Sequence, residues 1–464
     1  MRSRTRRDAL RLGAAALGTL AGGCLGVGGG QVPRESETTT ETAEPTTTSE
    51  FTLPPPATAT APEDPVPLPV DSEWPRYQAD ASNTGHRRGT TAVPTAPALH
   101  WQFAVRATTP VVAGRRLFTV ETRRDERVVC SRRAATGRVE WERSVDGGPA
   151  TAPVVTERRV FVQSRQRLHA FDRETGERRF TTDLGRGEPS VPAVKNGVVY
   201  CCAGARESWP TTVFAVDAEM GSRRWAAEVD GRVSGSPAVS GGAVYVATNG
   251  VAGEDGETGR LQALGTVGGG VRWQVDLGAP AAGSPLVARE MLFVPTESRL
   301  QSYWVEDGRA RWSTRVGRVT GDALAFAGDS VYAGTEHGVH ALKWATGEEL
   351  WRHETAAPTT APTVDREAVY VGELTGTAPA VVAADRDTGE ERWRYGTKTR
   401  EAEGARRAGL VGPPTPVEGG VYAVAADGMY AFGPQSVAGA NGADSNASEP
   451  ANATTTSRSS SAAE

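Results

Sequence analysis

The stretch Ala383-Ala-Asp-Arg-Asp-Thr-Gly389-Glu-Glu-Arg-Trp393 decides the fold of this chain, because it is one copy of a repeat. The aromatic residue that ends each copy recurs seven times, at intervals of 39 to 48 residues: Trp141, Phe180, Trp225, Trp273, Trp312, Trp351 and Trp393. A glycine stands four residues before each of them: Gly137, Gly176, Gly221, Gly269, Gly308, Gly347 and Gly389. Such a period indicates a repeat architecture.

Each unit can be written as four short strands. In the unit that ends at Trp393, the second strand is Ala368-Val-Tyr-Val-Gly372 and the third is Ala380-Val-Val-Ala-Ala-Asp385. Their apolar residues alternate, as in half-buried strands. The Thr-Gly-Glu turn that follows uses glycine because a positive φ is needed there. A four-stranded unit repeated without helical segments predicts the blades of a propeller.

Counting the units predicts how the ring closes. First strands begin near eight positions: Thr109, Thr151, Ser190, Ser236, Ser284, Asp322, Ala361 and Thr415. The eighth unit has only three strands, but Leu99-His-Trp101-Gln-Phe103 supplies a fourth, with Trp101 forty residues before Trp141. We therefore predict an all-β fold at residues 71–433: an eight-bladed β-propeller of four-stranded antiparallel blades, closed by the Trp101 strand pairing with the C-terminal blade. Closure pairs edges that would otherwise aggregate.

The N-terminus predicts export. Residues 1–24 have a basic start, a short apolar stretch and small residues before Cys24, the layout of a secretory signal. Arg6-Arg7 resembles a twin-arginine export signal, and Leu20-Ala-Gly-Gly-Cys24 resembles a lipobox. We expect export by the twin-arginine route and a lipid on Cys24 that anchors the protein to the outer face of the cytoplasmic membrane. The alternative is a soluble secreted protein.

The segments that flank the predicted propeller are low in complexity. Residues 25–70 are rich in Thr, Pro and Glu and predict a disordered tether, and residues 434–464 predict a disordered tail. The tail carries two N-glycosylation sequons, at Asn446 and Asn452, whose occupancy the sequence leaves open. The formal charge of −5 gives no general attraction to nucleic acid. The many arginines and few lysines are typical of GC-rich genomes and also of haloarchaeal proteins.

The unit Ala-x-Asp-x-x-Thr-Gly-x-x-x-Trp resembles the repeat of the pyrroloquinoline-quinone (PQQ) enzyme-like propellers. The copies that end at Phe180 and Trp393 match it most fully, and residues 74–85 resemble the segment that precedes the first blade. The resemblance implies that each recurring tryptophan packs between neighbouring blades and has a structural role. The family includes quinoprotein alcohol dehydrogenases and non-enzymatic envelope proteins such as the BamB lipoprotein of outer-membrane protein assembly.

The sequence lacks several features expected of a quinoprotein dehydrogenase. The resemblance implies that a dehydrogenase would hold PQQ and Ca²⁺ in the central channel, with adjacent cysteines over the cofactor. Cys201-Cys202 lie at the end of a second strand, where neighbouring side chains point to opposite faces, and no Asp-x-x-Asn-Arg-Gly segment follows them. No haem, nucleotide or zinc motif occurs. We predict no catalytic residue, no cofactor and no metal site; the alternative is a PQQ/Ca²⁺-dependent dehydrogenase of alcohols or sugars.

The variable loops are the candidate binding elements. Loops between second and third strands, and those between blades, emerge on one face and differ strongly in length. They contain the candidate partner-binding residues Trp209, Arg400, Arg406 and Arg407. Loops on a rigid scaffold commonly carry recognition. The sequence thus predicts a monomeric, membrane-anchored envelope protein that binds a protein or envelope polymer.

Overall fold

The computed structural model describes residues 73–434, apart from 88, 94–96, 125, 186, 205–210, 254–255, 377–378, 398–399 and 403–404. Within these residues every regular element is a β-strand. None of the described segments forms a helix with the length and apolarity that crossing a membrane requires. Cys24, the tether, Trp209 and the sequons at Asn446 and Asn452 lie outside the described residues.

The first half of the chain supplies a single N-terminal strand and four blades. The single strand is β1 (Ala98–Phe103). Blade 1 contains β2 (Arg106–Ala107), β3 (Val111–Ala113), β4 (Arg116–Arg123), β5 (Glu126–Arg133) and β6 (Val139–Val145). Blade 2 contains β7 (Val154–Val155), β8 (Arg159–Gln163), β9 (Arg167–Asp172) and β10 (Arg178–Asp183). Blade 3 contains β11 (Glu188–Pro189), β12 (Ala193–Lys195), β13 (Val198–Gly204), β14 (Thr211–Asp217) and β15 (Arg223–Val229). Blade 4 contains β16 (Arg232–Val233), β17 (Ala238–Ser240), β18 (Ala243–Gly253), β19 (Gly256–Gly265) and β20 (Val271–Asp276).

The second half supplies the other four blades. Blade 5 contains β21 (Leu286–Ala288), β22 (Met291–Pro295), β23 (Arg299–Trp304) and β24 (Ala310–Arg315). Blade 6 contains β25 (Val319–Ala327), β26 (Ser330–Thr335), β27 (Gly338–Lys343) and β28 (Glu349–Glu354). Blade 7 contains β29 (Thr363–Val364), β30 (Ala368–Gly372), β31 (Ala380–Asp385) and β32 (Glu391–Gly396). A separate hairpin follows, β33 (Arg400–Ala402) with β34 (Ala405–Ala408), and blade 8 contains β35 (Thr415–Val417), β36 (Gly420–Ala425) and β37 (Gly428–Gly433).

The predicted eight-bladed propeller and its closure are confirmed. Each blade is an antiparallel meander of four strand positions, and in blades 1, 3 and 4 the inner position is divided between two short strands. In blade 8 the outer position is filled from the N-terminus, because β1 pairs antiparallel with β37. Trp101 lies opposite Ala431 in this pairing. The ring is therefore closed because the first and last strands of the chain pair in one sheet.

The hydrophobic core lies between blades. Phe118 and Val129 of blade 1, for example, share one buried cluster with Val160 and Phe171 of blade 2. The second and third strands are buried on both faces, since each blade packs against a neighbour on either side. The prediction that these strands are half-buried is therefore wrong, and burial on both faces explains why their sequences are apolar at nearly every position.

The ring has two faces with different connections. We call the turn face the one where first strands join second strands and third strands join fourth strands through short turns. The loop face is the opposite one, where second strands join third strands and where successive blades are linked. The channel runs between the two faces and is lined by the first strands of the blades.

Candidate functional site

The recurring aromatic rings hold neighbouring blades together. The indole N–H of Trp312 donates to the carbonyl of Trp344 in the next blade at 2.9 Å, and that of Trp351 donates to Arg386 at 3.0 Å. Trp141, Trp225 and Trp273 also donate to a carbonyl of the next blade, whereas Trp393 donates to the carbonyl of Val93, which precedes β1. Phe180 lacks a ring N–H, so it contributes packing only. These residues are structural and leave no free group for chemistry.

A small residue faces each aromatic across the blade. Ala383 is the register partner of Trp393, and Ser302 is the partner of Trp312. A register shift lies beside the aromatic residue in the pairing of every outer strand. A β-bulge of this kind re-aims a side chain. This small partner, Ala or Ser, leaves space for the large ring. In the sequence it stands ten residues before the aromatic.

The recurring glycines touch the aromatic ring of the preceding blade. Gly308 has φ +73°, and a Cβ at this position would lie 2.6 Å from Cε3 of Trp273. Gly137, Gly176, Gly221, Gly269, Gly347 and Gly389 have the same environment, each against the ring of the blade before it. Glycine is therefore required for two reasons, its backbone conformation and the absence of a side chain.

In blade 8 the indole hydrogen bond and the contact with the glycine are made by two different residues. Trp101 donates its indole N–H to the carbonyl of Ala134 at 3.2 Å, the bond made by the other tryptophans. The ring that covers Gly137, however, belongs to Phe103. The two rings are in contact, with centroids 4.9 Å apart. The sequence pattern alone identified only Trp101, because the position two residues after the recurring aromatic varies between units and holds, for example, Arg143, Ala227 and Tyr395.

The recurring aspartate of the repeat organises the turn before the glycine. Asp172 Oδ1 accepts the backbone N–H groups of Glu174 and Thr175 at 3.0 and 3.1 Å, and its Oδ2 accepts Nη2 of Arg179 at 2.8 Å. The bond from Arg179 and those from the turn backbone lower the pKa of Asp172 to about 2. Asp217 and Asp385 make the same bonds. These carboxylates thus stabilise the turn face and are not free acids.

The channel is covered at the turn face by the N-terminal strap, which we define as residues 74–91. Among the described residues, strap carbonyls accept backbone N–H groups from blades 1, 2, 4, 5, 6, 7 and 8 in ring order: Val112, Val155, Val239, Val287, Phe326, Val364 and Gly419, at 2.7 to 3.0 Å. Trp74 also donates to the carbonyl of Val112, at 2.7 Å. Asn83 sends its amide Nδ2 to the carbonyl of Pro285 at 2.8 Å. The strap therefore runs round the ring before the chain becomes β1.

One strap residue fills the axis of the channel. The ring of Tyr77 packs among Ala152, Ala323 and Ala361 on first strands of different blades. Its hydroxyl donates to Oδ1 of Asp322 in blade 6. Burial, with the neighbouring carboxylate, raises the pKa of Tyr77 well above its usual value, so Tyr77 is a neutral donor. Tyr77 closes the channel below Asp322.

A cavity of about 190 Å³ lies on the loop-face side of this contact. Its polar lining includes Thr151, Glu188, Ser190, Arg232, Ser236 and Asp322. Asp322 is solvent-exposed, so the cavity communicates with water. It is the candidate ligand site in the channel.

The residues of this channel do not fit PQQ with Ca²⁺. No group of three or more His, Cys, Asp or Glu that could hold a metal ion occurs in the part of the chain that the structure describes, whereas Ca²⁺ takes six to eight oxygen ligands. PQQ is a rigid fused-ring tricarboxylate, and Arg232 is the one cationic side chain among the described residues of the lining. Asp322 already accepts the hydroxyl of Tyr77.

The adjacent cysteines are packed between blades, and of the two only Cys202 also contributes to the described lining of the cavity. Cys201 belongs to the buried cluster between blades 2 and 3, and Cys202 belongs to the one between blades 3 and 4. Both are free thiols, and burial raises the pKa of each, that of Cys202 to about 12. Neither is a thiolate at neutral pH. Their alternation along β13 explains this placement.

A Ser-His-Asp cluster that sequence reasoning missed lies in blade 2. Ser164 Oγ is 3.3 Å from Nε2 of His169, and Nδ1 of His169 is 3.6 Å from Oδ1 of Asp146. These are the residue types of a hydrolytic triad. However, Ser164 is fully buried beneath Gly147, where an added Cβ would lie 2.6 Å from Oγ. Burial lowers the pKa of His169. The cluster is closed to substrate and joins the blade 1–2 connection to blade 2.

The loop face carries long elements at two places in the ring, in blade 4 and between blades 7 and 8. The hairpin of β18 and β19 has strands of 11 and 10 residues, while the second strands of other blades have five to eight. Hairpin β33–β34 stands between blades 7 and 8 and contains the backbone of Arg400, Arg406 and Arg407. In blades 2, 5 and 6 the connection between the second and third strands has only two or three residues. Arg394, beside the second hairpin, is neutralised by Glu373 at 3.0 Å.

The comparisons with known proteins agree with this architecture. The model of a PQQ-repeat family described as "Outer membrane protein assembly factor BamB" matches residues 80–199, 164–262, 210–376 and 339–448. Comparison with curated protein sequences gives no significant match.

Three solved structures illustrate the structural similarity. BamB from Moraxella catarrhalis is 18% identical with TM-score 0.52, over 70% of this chain and 95% of that one. A quinohemoprotein alcohol dehydrogenase from Comamonas testosteroni is 14% identical with TM-score 0.62, over 79% and 81%. A europium-containing methanol dehydrogenase is 12% identical with TM-score 0.61, over 78% and 91%. At these identities the similarity shows a common fold and does not separate binding protein from enzyme. The repeat, the ring and the family match together place this chain in the PQQ-repeat propeller family of the outer membrane protein assembly factor BamB.

Proposed function

We propose that this protein is a non-enzymatic binding or scaffold protein of the cell envelope, which binds a protein or envelope polymer at its loop face. The observation that carries the proposal is the unequal length of the connections on that face. Strands β18 and β19 are the longest of the described strands, and hairpin β33–β34 is added between blades 7 and 8, whereas the connections between second and third strands in blades 1, 2, 5, 6 and 8 have only two or three residues. Loops of variable length on a rigid scaffold are the usual carriers of recognition.

The opposite face is already engaged by the chain itself. The strap covers the channel there, and Trp74 at its start pairs with Val112 next to a turn. The last strand, β37, also ends on the turn face, where Gly433 pairs with Ala98. Both terminal extensions therefore depart from the turn face.

We also propose that the protein is exported by the twin-arginine route and held to the membrane by a lipid on Cys24. The support is the sequence of residues 1–24, with its paired arginines and lipobox-like end. The Thr- and Pro-rich residues 25–70 would serve as the tether between the anchor and the propeller. A single acyl chain binds a membrane weakly, so a stable anchor needs two chains or a second contact.

A PQQ-dependent dehydrogenase is the alternative, and a cofactor titration separates the two functions. The purified protein is incubated with PQQ and Ca²⁺, passed through a gel-filtration column, and assayed for quinone absorbance and alcohol-dependent dye reduction. We expect neither signal to remain with the protein, because the described residues of the channel do not provide the ligands for either group. A quinoprotein alcohol dehydrogenase treated in parallel serves as the positive control. Retained quinone together with dye reduction would overturn the binding-protein proposal.

A further inference from the structure

One position in the channel wall departs from the pattern of its neighbours. A hydroxyl residue stands at the start of the first strand or just before it in six of the eight blades, at Thr109, Thr151, Ser190, Ser236, Ser284 and Thr415. Several of these hydroxyls are engaged with backbone. Ser284 Oγ accepts the N–H of Ser236 at 2.8 Å, and Thr415 Oγ donates to the carbonyl of Pro110 at 2.7 Å. In blade 6 the same position holds the carboxylate of Asp322.

The carboxylate of Asp322 is only half satisfied. Oδ1 accepts the hydroxyl of Tyr77. Within the described residues, Oδ2 has no hydrogen-bond donor, and no Lys, Arg or His nitrogen lies within 4 Å of either oxygen. Asp322 is exposed toward the cavity, so Oδ2 is accessible to a ligand. Partial desolvation within the channel raises the pKa of Asp322. An accessible acceptor without a counter-charge in contact with it suggests a ligand that supplies the cation.

The cavity above Asp322 has the size and lining for a slim organic cation. Its volume of about 190 Å³ is comparable with the engineered cavity of about 150 Å³ that admits benzene. Pro189, Val191 and Val233 give it apolar walls. Thr151 also lines it, and the structure gives the Thr151 hydroxyl no hydrogen-bond partner among the described groups. An alkyl chain suits these walls, and a terminal donor suits the oxygen atoms at the base.

We infer that this cavity binds a small aliphatic amine, with its ammonium group on Asp322 Oδ2 and its alkyl chain against Val191 and Val233. An ammonium suits the site better than a guanidinium. The fork of a guanidinium pairs best with both oxygens of a carboxylate, and Tyr77 already uses one of them. The inference does not depend on the proposed function, because it concerns the channel and not the hairpins of the loop face.

Calorimetric titration of the full-length protein with n-butylamine at neutral pH tests this site. We expect n-butylamine to bind and butan-1-ol, which has the same chain without the charge, to bind at least about tenfold more weakly. Asp322→Asn should lower the affinity for n-butylamine by about tenfold or more, the usual effect of losing one charge-assisted hydrogen bond. Asp329→Asn is the matched control, since Asp329 lies in the same blade, exposed, and pairs with Arg289 at the turn face. This control should bind as the wild type does.

The comparison of amine with alcohol in the wild-type protein needs no variant, so it decides the matter even if Asp322→Asn does not fold. Equal binding of amine and alcohol, no binding of either, or a folded Asp322→Asn protein with unchanged affinity would each overturn the inference. A second arm uses a lysine peptide with blocked termini. Binding of n-butylamine alone assigns a free small amine, and binding of both probes extends the site to a partner's lysine side chain.

Discussion

Replacing both Trp101 and Phe103 with alanine should destroy the closed ring. Both side chains are buried, at 4% and 6% exposure, and each packs on the first blade from a strand that belongs to the last one. Trp101 binds the carbonyl of Ala134, and Arg132 stacks on Phe103 at 5.2 Å. Large buried aromatics cost about 3–5 kcal/mol each when truncated. The pair should remove at least about 5 kcal/mol, which is comparable with the whole stability of many domains.

Urea unfolding followed by near-ultraviolet circular dichroism, together with size-exclusion chromatography, measures this loss. Leu99→Ala is the matched control, because Leu99 lies on the same strand with 39% of its surface exposed. We expect that variant to change the free energy of unfolding by less than about 1 kcal/mol. If the double variant stays folded and monomeric with a loss below about 2 kcal/mol, β1 does not hold the ring closed.

Gly308→Ala should have the second largest effect. The methyl group would meet the ring of Trp273, which cannot retreat because its N–H is bound to Val305 at 3.1 Å. Overpacking costs about 1–3 kcal/mol, and a left-handed backbone costs an alanine about 1–2 kcal/mol. The free energy of unfolding should therefore fall by about 3 kcal/mol, as measured by urea unfolding.

Gly328→Ala separates the two causes. Gly328 also has a positive φ, +59°, but no atom lies within 4 Å of the position of an added Cβ. We expect a loss of about 1–2 kcal/mol from the backbone alone. Equal losses in the two variants would show that the contact with Trp273 does not matter. The difference between them measures how tightly two blades are packed.

The fold could be predicted because every blade repeats the same local requirements. The aromatic faces the small residue ten positions earlier across its own blade, and the glycine four positions earlier packs on the aromatic of the preceding blade. Each blade makes the same contacts, which is why the three residues recur together. The count of outer strands then required the Trp101 strand to complete blade 8. Pairing of β1 with β37 follows from that count and no other signal.

The strap and the channel could not be predicted in the same way. The strap contacts the blades mainly through its backbone carbonyls, and a carbonyl leaves no trace in the sequence. The path of residues 74–91 round the ring therefore appeared only in the structure. Asp322 did leave a signal, since it replaces a hydroxyl in the aligned first strands, but its pairing with Tyr77 joins residues 245 positions apart. Side chains that meet at such a separation need the fold before they can be matched.

The candidate partner-binding residues remain predictions. The backbone of Arg400, Arg406 and Arg407 belongs to a hairpin beside the loop face, and Trp209 lies outside the described residues. The long loops could be located from the sequence because the repeat defines the strands on either side of them. The arrangement of the side chains within these loops does not follow from the repeat. The sequence therefore predicts where the loops are, but not which surface they form.

Site-specific photo-crosslinking in intact cells tests the central claim, that one face of the propeller binds a partner. A photo-reactive residue is placed at Arg232 or Arg406 on the loop face. For comparison, it is placed at Glu174 or Asp387 on the turn face, whose side chains are both exposed. The account predicts that positions 232 and 406 crosslink to the same partner and that positions 174 and 387 do not. Crosslinks from 174 and 387 with none from 232 and 406 would contradict it.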